Sequence, residues 1–343
     1  MTGEAPVVVE VIRGGARESR HRGEAVVVDA SGKIRFRSGN PHRMVFARSA
    51  AKPLQAMTVV ESGALRQFGF SPAELAVMCG SHGGEPRHCE TVRGILDKIG
   101  LGVESLACGS HPPADAASAL ALVKAGRAPE PLHNNCSGKH AGMLAVCRRF
   151  GWPAEGYLAP DHPVQHLNLL NLASMIGVEP SDIHLGVDGC GAPAYASPLS
   201  ALALAYARMA APSDLPSAKA EAARAVADAM RSHPDLVAGT GRLCTRLMSL
   251  GKGLIAKSGA EGVYCVGLID PGWGLALKVE DGSSRAVPPV AIHLLEQIGA
   301  LDRQEIDRLA DLHEPALRDH RGNQVGCMKP VAHLDWAGGE GIG

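Results

Sequence analysis

Segments with the pattern of β-strands lie at both ends of this 343-residue chain, and the segments between them have the pattern of helices. Val7–Ile12 is rich in β-branched residues, and Glu24–Asp29 and Lys33–Arg37 flank a short turn sequence, as in a hairpin. Towards the other end, short strand-like segments alternate with Gly, Asp and Pro: Gly253–Lys257, Gly262–Leu268 and Gly274–Val279. The strands from both ends are therefore expected to pair in one antiparallel sheet.

The middle of the chain is predicted to be helical. Ser71-Pro72-Ala73-Glu74 has the form of a capping box, with proline at the first helical position. Apolar residues recur with helical period in several later segments, among them Lys139–Phe150, Val164–Ile176 and Ser217–Ser232. We therefore predict an α+β fold in one catalytic unit, residues 1–343. Its sheet-forming parts are about 5–40 and 253–300, and its helical part is about 50–252.

Composition narrows the function classes. Aromatic residues make up only 3% of the chain and the formal charge is −1, so neither base stacking nor a basic nucleic-acid surface is expected. No apolar run is long enough to span a membrane. Met1–Glu10 lacks a cationic segment, and the nine cysteines without a signal peptide indicate free thiols or metal ligands. We expect a cytoplasmic protein that binds neither nucleic acid nor membrane.

Ser49-Ala50-Ala51-Lys52 is a candidate nucleophile with its own base. A serine hydroxyl needs a group that takes its proton, and a lysine can do this when burial lowers its pKa. If a helix starts here, the three-residue spacing puts both side chains on one face. Alone, the pattern is more often that of a capping serine followed by a solvated lysine.

Two further segments carry hydroxyl and amine groups. Ser81 and His82 enter a glycine-rich turn after a capped helix, where Gly80 lets backbone amides approach a ligand. Lys257-Ser258-Gly259 ends a predicted strand and matches the K-[TS]-G element that accompanies S-x-x-K in one class of serine hydrolases. A helix C-cap and a strand-end turn, respectively, remain alternatives for these segments.

Two cysteine-containing segments are candidates for metal binding. His133-Asn134-Asn135-Cys136-Ser137-Gly138-Lys139 precedes a predicted helix, and Asp188-Gly189-Cys190-Gly191 follows a predicted strand. Their spacing matches no common zinc finger or ribbon. Two buried apolar thiols are the alternative to a metal site.

Taken together, five stretches closely resemble the asparaginase II family of bacteria and fungi, the Rhizobium-type L-asparaginases. They occur in the family's order over nearly the whole chain: Arg48–Lys52, Cys79–Pro86, His133–Met143, Gly186–Pro193 and Lys257–Tyr264. The resemblance implies a fold similar to serine β-lactamases, which agrees with the strand placement, and hydrolysis of L-asparagine to L-aspartate and ammonia by a homodimer.

The resemblance also assigns residues. It places one catalytic pair on Ser49 and Lys52 and a second on Ser81 and Lys257. It places a Zn²⁺ site on Cys136, Lys139 and Cys190, with Asp188 adjacent, and the zinc is expected to orient the substrate rather than to supply the nucleophile. We expect substrate contacts from the polar and glycine residues around these groups: Arg48, Gly80, His82, Asn134, Asn135 and Gly191.

The chain departs from the family pattern at two places. Gly83 stands where many members have serine, and Cys244 stands near a position where many have aspartate. Three other functions stay open at this point: a β-lactamase-like or esterase-like serine hydrolase, a non-catalytic asparagine-binding protein, and a glutaminase, whose substrate is longer by one methylene.

Overall fold

The computed structural model describes residues 4–338, so the two ends of the predicted catalytic unit, 1–3 and 339–343, lie outside the described residues. The strands are β1 (Val7–Arg13), β2 (Ala16–Asp29), β3 (Ile34–Ser38), β4 (Met44–Phe46), β5 (His184–Val187), β6 (Pro193–Pro198), β7 (Leu254–Ser258), β8 (Val263–Leu268), β9 (Trp273–Val279), β10 (Ala316–Arg318), β11 (Gln324–Pro330) and β12 (Asp335–Trp336).

The helices lie mainly between β4 and β7. They are α1 (Lys52–Glu61), α2 (Ala64–Gln67), α3 (Pro72–Met78), α4 (Pro86–Ile99), α5 (Ala116–Lys124), α6 (Ser137–Phe150), α7 (Pro163–Ile176), α8 (Leu199–Ala210), α9 (Ser217–Ser232), α10 (Pro234–Val237), α11 (Leu243–Met248), α12 (Val287–Gln297), α13 (Arg303–Arg308) and α14 (Ala310–His313). The predicted capping box is confirmed, because the Ser71 and Glu74 side chains each accept a hydrogen bond from the other residue's backbone amide.

Strands from both ends of the chain form the main sheet, in the order β10-β11-β1-β2-β9-β8-β7, with β3 and β12 branching from β2. Each pairing is antiparallel, and the two ends meet where β2 lies against β9, with Val27 opposite Leu275. The predicted α+β class and its antiparallel sheet are therefore confirmed. A smaller antiparallel sheet, β4-β6-β5, lies beside the helices.

Both faces of the main sheet are covered, because successive residues from Glu24 to Val28 on β2 are buried. Helix α8 packs against β2, β8 and β9, and α12 packs against β1, β8 and β11. The approach of α8 is close: a Cβ at Gly274 would lie 2.0 Å from the Ala203 carbonyl oxygen, so only glycine fits at this position of β9. Pairing with β8 in this packed sheet holds β7, the strand that carries Lys257, in place.

The boundaries of the sheet differ from the prediction in two ways. The last central strand ends at Val279, and much of the region up to residue 300 is helix α12 rather than sheet. Strands β10, β11 and β12, which the sequence analysis missed, add to the sheet after residue 315. They are short and largely exposed or half-buried, so they lack the regular apolar alternation that identifies a strand from sequence.

Candidate active site

Ser49 lies in a sharp turn between β4 and α1. A single 3₁₀ turn, Arg48–Ala51, leads directly into the helix. Arg48 has φ +48°, a left-handed conformation that costs a non-glycine residue on the order of 1–3 kcal/mol. Its guanidinium donates two hydrogen bonds to Asp188 Oδ1, at 2.9 and 2.8 Å, which hold the strained turn in place. The turn therefore presents Ser49, half-buried, at the start of α1.

Lys52, the first residue of α1, is buried, and its side chain points to Ser81. Its Nζ donates to Gly80 O at 2.7 Å, to Ser81 Oγ at 3.0 Å and to Asn135 O at 3.0 Å. These three acceptors match the three N–H bonds of an ammonium. Within residues 4–338, Ser49 Oγ makes no hydrogen bond to Lys52, although the two residues lie one turn apart at the start of α1, as the sequence motif predicts. Their pairing as nucleophile and base stays a prediction.

Lys257 reaches the same hydroxyl from β7. Its Nζ lies 2.9 Å from Ser81 Oγ and donates to Ser258 O at 2.8 Å. Burial lowers the pKa of Lys257 to about 7, and the nearby charge of Lys52 contributes in the same direction. Burial lowers the pKa of Lys52 as well. The structure thus brings Lys52 together with Ser81 and Lys257 in one row, Lys52 Nζ–Ser81 Oγ–Lys257 Nζ, which does not include Ser49.

The Ser81 turn is fixed by its backbone. Ser81 N donates to Val237 O at 2.8 Å. Gly80 has no room for a side chain, because a Cβ there would lie 2.8 Å from Leu236 O and 3.0 Å from Val77 O. The Glu85 carboxylate accepts hydrogen bonds from the backbone amide and the hydroxyl of Thr240, at 2.8 and 3.0 Å. The turn is therefore tied to the segment that continues into α11.

A cavity of about 380 Å³ opens over these groups. Ser49, Ser81 and Asn135 form one side of it, and Gly259 with its neighbours after β7 forms another. Several of its lining residues were not predicted as site residues from the sequence: Arg242, Leu243, Cys244, Ser258, Tyr264, Ser284 and Leu312. Arg242 is an exposed cation whose Nη1 lies 3.4 Å from Ser81 O. It follows a Gly-Thr-Gly turn, and no local pattern marks it as a ligand-binding residue.

Three of the expected substrate contacts lie away from this cavity. His82 is fully buried; it accepts from Gly84 N at Nδ1, so its Nε2 donates to Ser137 Oγ at 2.9 Å. Burial holds the pKa of His82 well below its ordinary value, so the ring is neutral. The Asn134 amide is bonded to Cys108 O, Gly109 O and Cys136 N.

Gly191 forms a turn at φ +82°, where its amide donates to Asp188 O. In the part of the chain that the structure describes, none of these three residues lines the cavity. They shape the loops that carry Ser81, Cys136 and Asp188 instead. Of the other expected contacts, Asn135 lines the cavity, Gly80 binds Lys52 through its carbonyl, and the Arg48 guanidinium faces Asp188.

The two predicted cysteine segments come together beside Lys52. Cys136 caps α6, Lys139 lies in the first turn of that helix, and Lys139 Nζ donates to Cys190 Sγ at 3.0 Å. The hydrogen bond from Cys190 lowers the pKa of Cys136 to about 4, and the charges of Lys52 and Lys139 add to this effect. The pKa of Lys139 is raised, because Cys136 and Cys190 outweigh the effect of burial.

This donor set has the chemistry of a zinc site. Two sulfur atoms and one amine nitrogen converge, the surroundings lower the pKa of the Cys136 thiol, and Zn²⁺ prefers sulfur and nitrogen ligands with tetrahedral geometry. Burial acts to raise the pKa of Asp188, but the Lys139 charge and the hydrogen bond from Arg48 outweigh it and lower the pKa. Asp188 thus links the thiol and amine groups to the turn before Ser49. The residues therefore fit zinc, and three donors leave one of the four tetrahedral positions for a further ligand.

Several solved structures resemble this one at low similarity. They include Mglu, at 14% identity and a TM-score of 0.37 over 81% of this chain and 67% of that one. A β-lactamase from Mycobacterium bovis has 14% identity and a TM-score of 0.40 over 80% and 94% of the two chains. A Bacillus glutaminase has 12% identity and a TM-score of 0.38 over 81% and 91%.

These likenesses are too distant to carry an argument about activity. The comparison with curated proteins returned no match. Among residues 4–338, no helix has the length and apolar character needed to cross a bilayer. The family comparison is decisive, because the family model described as L-asparaginase II matches residues 9–330, and that range contains the two serines, the lysines and both cysteines of the site. The predicted resemblance is confirmed: this chain belongs to the L-asparaginase II family and is an asparaginase-type amidohydrolase.

Proposed function

We propose that this protein is an L-asparaginase, which hydrolyses L-asparagine to L-aspartate and ammonia through a serine nucleophile activated by lysine. The observation that carries the proposal is the position of Ser81 Oγ, 3.0 Å from the Lys52 nitrogen and 2.9 Å from the Lys257 nitrogen at the floor of a cavity. Two buried amines around one hydroxyl form a device for moving protons. Membership of the family supports asparagine as the substrate.

Ser49 is the proposed nucleophile. Its half-buried hydroxyl lines the cavity and is free of hydrogen bonds within the described chain. Lys52, one turn further along the same helix start, is the proposed base. Attack requires Ser49 Oγ to turn towards Lys52 when the substrate is bound, and catalytic hydrogen bonds often tighten only in that complex. Ser49 then forms an ester with the side-chain acyl group, and the C–N bond of the amide breaks.

Ser81 and Lys257 are the proposed proton relay. The proton that Lys52 takes from Ser49 can pass through the Ser81 hydroxyl to Lys257, since each neighbouring pair is at hydrogen-bond distance. An amine with a pKa of about 7 both accepts and returns a proton near neutral pH. The relay delivers a proton to the departing ammonia, and in the second half of the reaction it takes one from the water that hydrolyses the ester.

Two features of the cavity suit an amino-acid substrate. Arg242 places an exposed positive charge at the wall, where it can bind the α-carboxylate of asparagine. Backbone amides at the Ser49 and Ser81 turns are the candidates for holding the oxyanion, and removal of one such donor typically costs about 10²–10³ in rate.

Cys136, Lys139 and Cys190 would hold a Zn²⁺ ion in this proposal. Bound there, the ion would act as a Lewis acid beside the cavity, which orients a polar substrate group and adjusts its affinity. We also propose, on the strength of the sequence resemblance, that the protein acts in the cytoplasm as a homodimer; sedimentation of the purified protein tests the dimer.

The proposal is tested by ammonia release from L-asparagine in the wild type and in Ser49→Ala, Lys52→Ala and Ser81→Ala. Robust wild-type turnover that is lost in all three variants is expected. D-asparagine, L-glutamine and nitrocefin are the comparison substrates. A wild type that binds asparagine without releasing ammonia, or that hydrolyses nitrocefin instead, overturns the proposal.

The nucleophile is identified separately by trapping the acyl-enzyme with an electrophilic asparagine analogue and locating the label by peptide mass spectrometry. The label is expected on Ser49. A label on Ser81 would contradict the assignment and make Lys257 the base of the first step, since Lys257 is already at hydrogen-bond distance from that hydroxyl.

A further inference from the structure

A second group of metal-ligand side chains lies away from the serines and cysteines of the active site. His293 and Glu296 lie three residues apart on α12, which places them on one face of that helix. His313 ends α14, which packs against α12. One ligand atom from each of the three half-buried side chains lies within 4.8 Å of the other two. We call this group the His-Glu cluster.

The orientation of the His293 ring is set by its backbone partner. Its Nε2 lies 3.1 Å from Ala332 O, and a carbonyl oxygen only accepts, so Nε2 carries a hydrogen. Nδ1 is on the other side of the ring, 3.7 Å from Glu296 Oε2. A metal ion between these two atoms would have both as ligands. A backbone carbonyl behind the ring is also the usual partner of a metal-bound histidine.

His313 completes the group. Its Nε2 is buried and has no hydrogen-bond partner among residues 4–338, and a buried polar atom without a partner is costly. The His313 ring stacks on His293 with 5.9 Å between centroids. Among the charges near His313, Glu296 and Glu314 are negative and favour a cation, and Arg303 opposes one.

We propose that His293 Nδ1, His313 Nε2 and a Glu296 carboxylate oxygen bind a divalent transition-metal ion of the zinc type. Two imidazoles and one carboxylate form a common zinc ligand set, with metal–ligand distances of about 2.0–2.2 Å. Tetrahedral ligands at those distances are about 3.4 Å apart, so the 3.7 Å separation of His293 Nδ1 and Glu296 Oε2 needs only a small adjustment.

The ion would link α14 to α12 through His313 on the first helix and His293 and Glu296 on the second. Leu312, the residue before His313, lines the cavity that holds Ser49 and Ser81, and Val287 at the start of α12 lines it too. Metal binding at the His-Glu cluster therefore fixes one wall of the active-site cavity, without contributing a group to the reaction. This site is independent of the proposed activity and of any zinc on Cys136, Lys139 and Cys190.

The test is the zinc content of chelator-stripped protein after equilibrium dialysis against Zn²⁺, measured by mass spectrometry. His313→Gln is expected to bind one equivalent less than the wild type. His333→Gln is the matched control, because this histidine is near Ala332 in sequence, is mostly exposed and lies outside the cluster; it should bind as much as the wild type. Equal binding by His313→Gln and the wild type overturns the proposal.

A second measurement isolates the cluster from the thiol set. Cys136→Ser/Cys190→Ser removes the sulfur ligands, and the double variant is expected to retain one equivalent of zinc that His293→Gln then abolishes. With Co²⁺ as the probe, the retained site should show visible d–d absorption without the ultraviolet charge-transfer bands of thiolate ligands. A double variant that folds and binds no metal refutes the site; if it fails to fold, the difference between the wild type and His313→Gln decides alone.

Discussion

The active site contains two clusters with buried lysines: the serine cluster of Lys52, Ser81 and Lys257, and the thiol cluster of Cys136, Lys139 and Cys190. The lysines of the two clusters differ in how strongly they hold a proton. Lys52, Lys139 and Lys257 are each at most 4% exposed, and burial acts to lower the pKa of all three. Around Ser81, burial lowers the pKa of Lys257 to about 7, and the charge of the neighbouring Lys52 acts in the same direction. Beside Cys190 the result is the opposite, since two thiols and Asp188 favour the charged form of Lys139.

The comparison teaches that burial alone does not make a lysine a base. The polar partner decides whether the proton is lost, as at Lys257, or retained until a competing cation displaces it, as at Lys139. Lys52 of the serine cluster contacts Ser81, while the charge of Cys136 acts on it from the other side. The serine cluster thus has the properties of a proton relay, and the thiol cluster those of a metal site.

The largest expected effect is at Lys257. Lys257→Met removes the relay amine but keeps much of the side-chain volume, and kcat for asparagine should fall by about 10²–10⁴. Lys257→Arg should fail as well, because a guanidinium stays charged. Lys252→Met, an exposed lysine just before β7, is the matched control and should retain wild-type kcat. Measurements of ammonia release check this prediction. A Lys257→Met enzyme that keeps half the wild-type kcat would show that the proton relay through Ser81 and Lys257 is not needed for catalysis.

The pH dependence is the next effect in size. If the neutral form of Lys257 is needed, kcat/KM should rise through pH 7 and fall about tenfold per pH unit well below it. The pKa of Lys257 is 10.5 before burial and about 7 in the folded protein, so the unfolded chain binds more protons between these values. Lys257 therefore makes the folded state more stable as pH rises from 7 to 10.5.

Both pH effects are specific to this side chain. In Lys257→Met, the free energy of unfolding should rise less between pH 7 and 10.5 than in the wild type. Chemical denaturation at several pH values measures this difference. An activity profile that is flat from pH 6 to 8 would contradict the assignment of Lys257.

The thiol cluster should give a smaller and different effect. Complete removal of zinc, or Cys190→Ser, is expected to raise KM for asparagine by about 10-fold, a size typical of disturbed metal sites, with kcat nearly unchanged. The reason is that the proposed metal orients the substrate while the relay performs the proton transfers. Steady-state kinetics with metal analysis of each sample measure this; a loss of kcat with KM unchanged would assign the metal a role in the chemical step.

The two clusters also differ in how far the sequence predicts them. The short motifs identify Ser49 and Ser81, which line the cavity, and Lys257, which reaches Ser81 from beneath it. They also identify Cys136, Lys139 and Cys190, which come together. They do not predict that Lys52 turns to Ser81 instead of Ser49. That choice depends on Gly80 O and Asn135 O, which approach from distant parts of the chain.

Sequence reasoning is least successful for residues whose role depends on tertiary position. Titratable His82 and polar Asn134 have the chemistry of substrate contacts, yet buried backbone groups occupy their hydrogen bonds. Arg242 and Leu312 carry no local signal and reach the cavity only because α11 and α14 fold over it. The antiparallel sheet was predictable from the strands at both ends of the chain, whereas the largely exposed or half-buried strands β10–β12 were not.

The smallest effect is expected at Gly83, where the family often has serine. Its φ is outside the left-handed region, and a Cβ there would be 3.4 Å from Asp115 Cβ and from Glu85 Oε1, an ordinary contact. Gly83→Ser should therefore keep kcat and KM for asparagine within about twofold of the wild type, because the buried position accepts a Cβ without a clash. Gly80→Ser is the contrasting variant, because its Cβ would collide with the Leu236 and Val77 carbonyls and displace Ser81 from both lysines. Equal losses in the two variants would mean that the whole turn, and not the row from Lys52 to Lys257, limits activity.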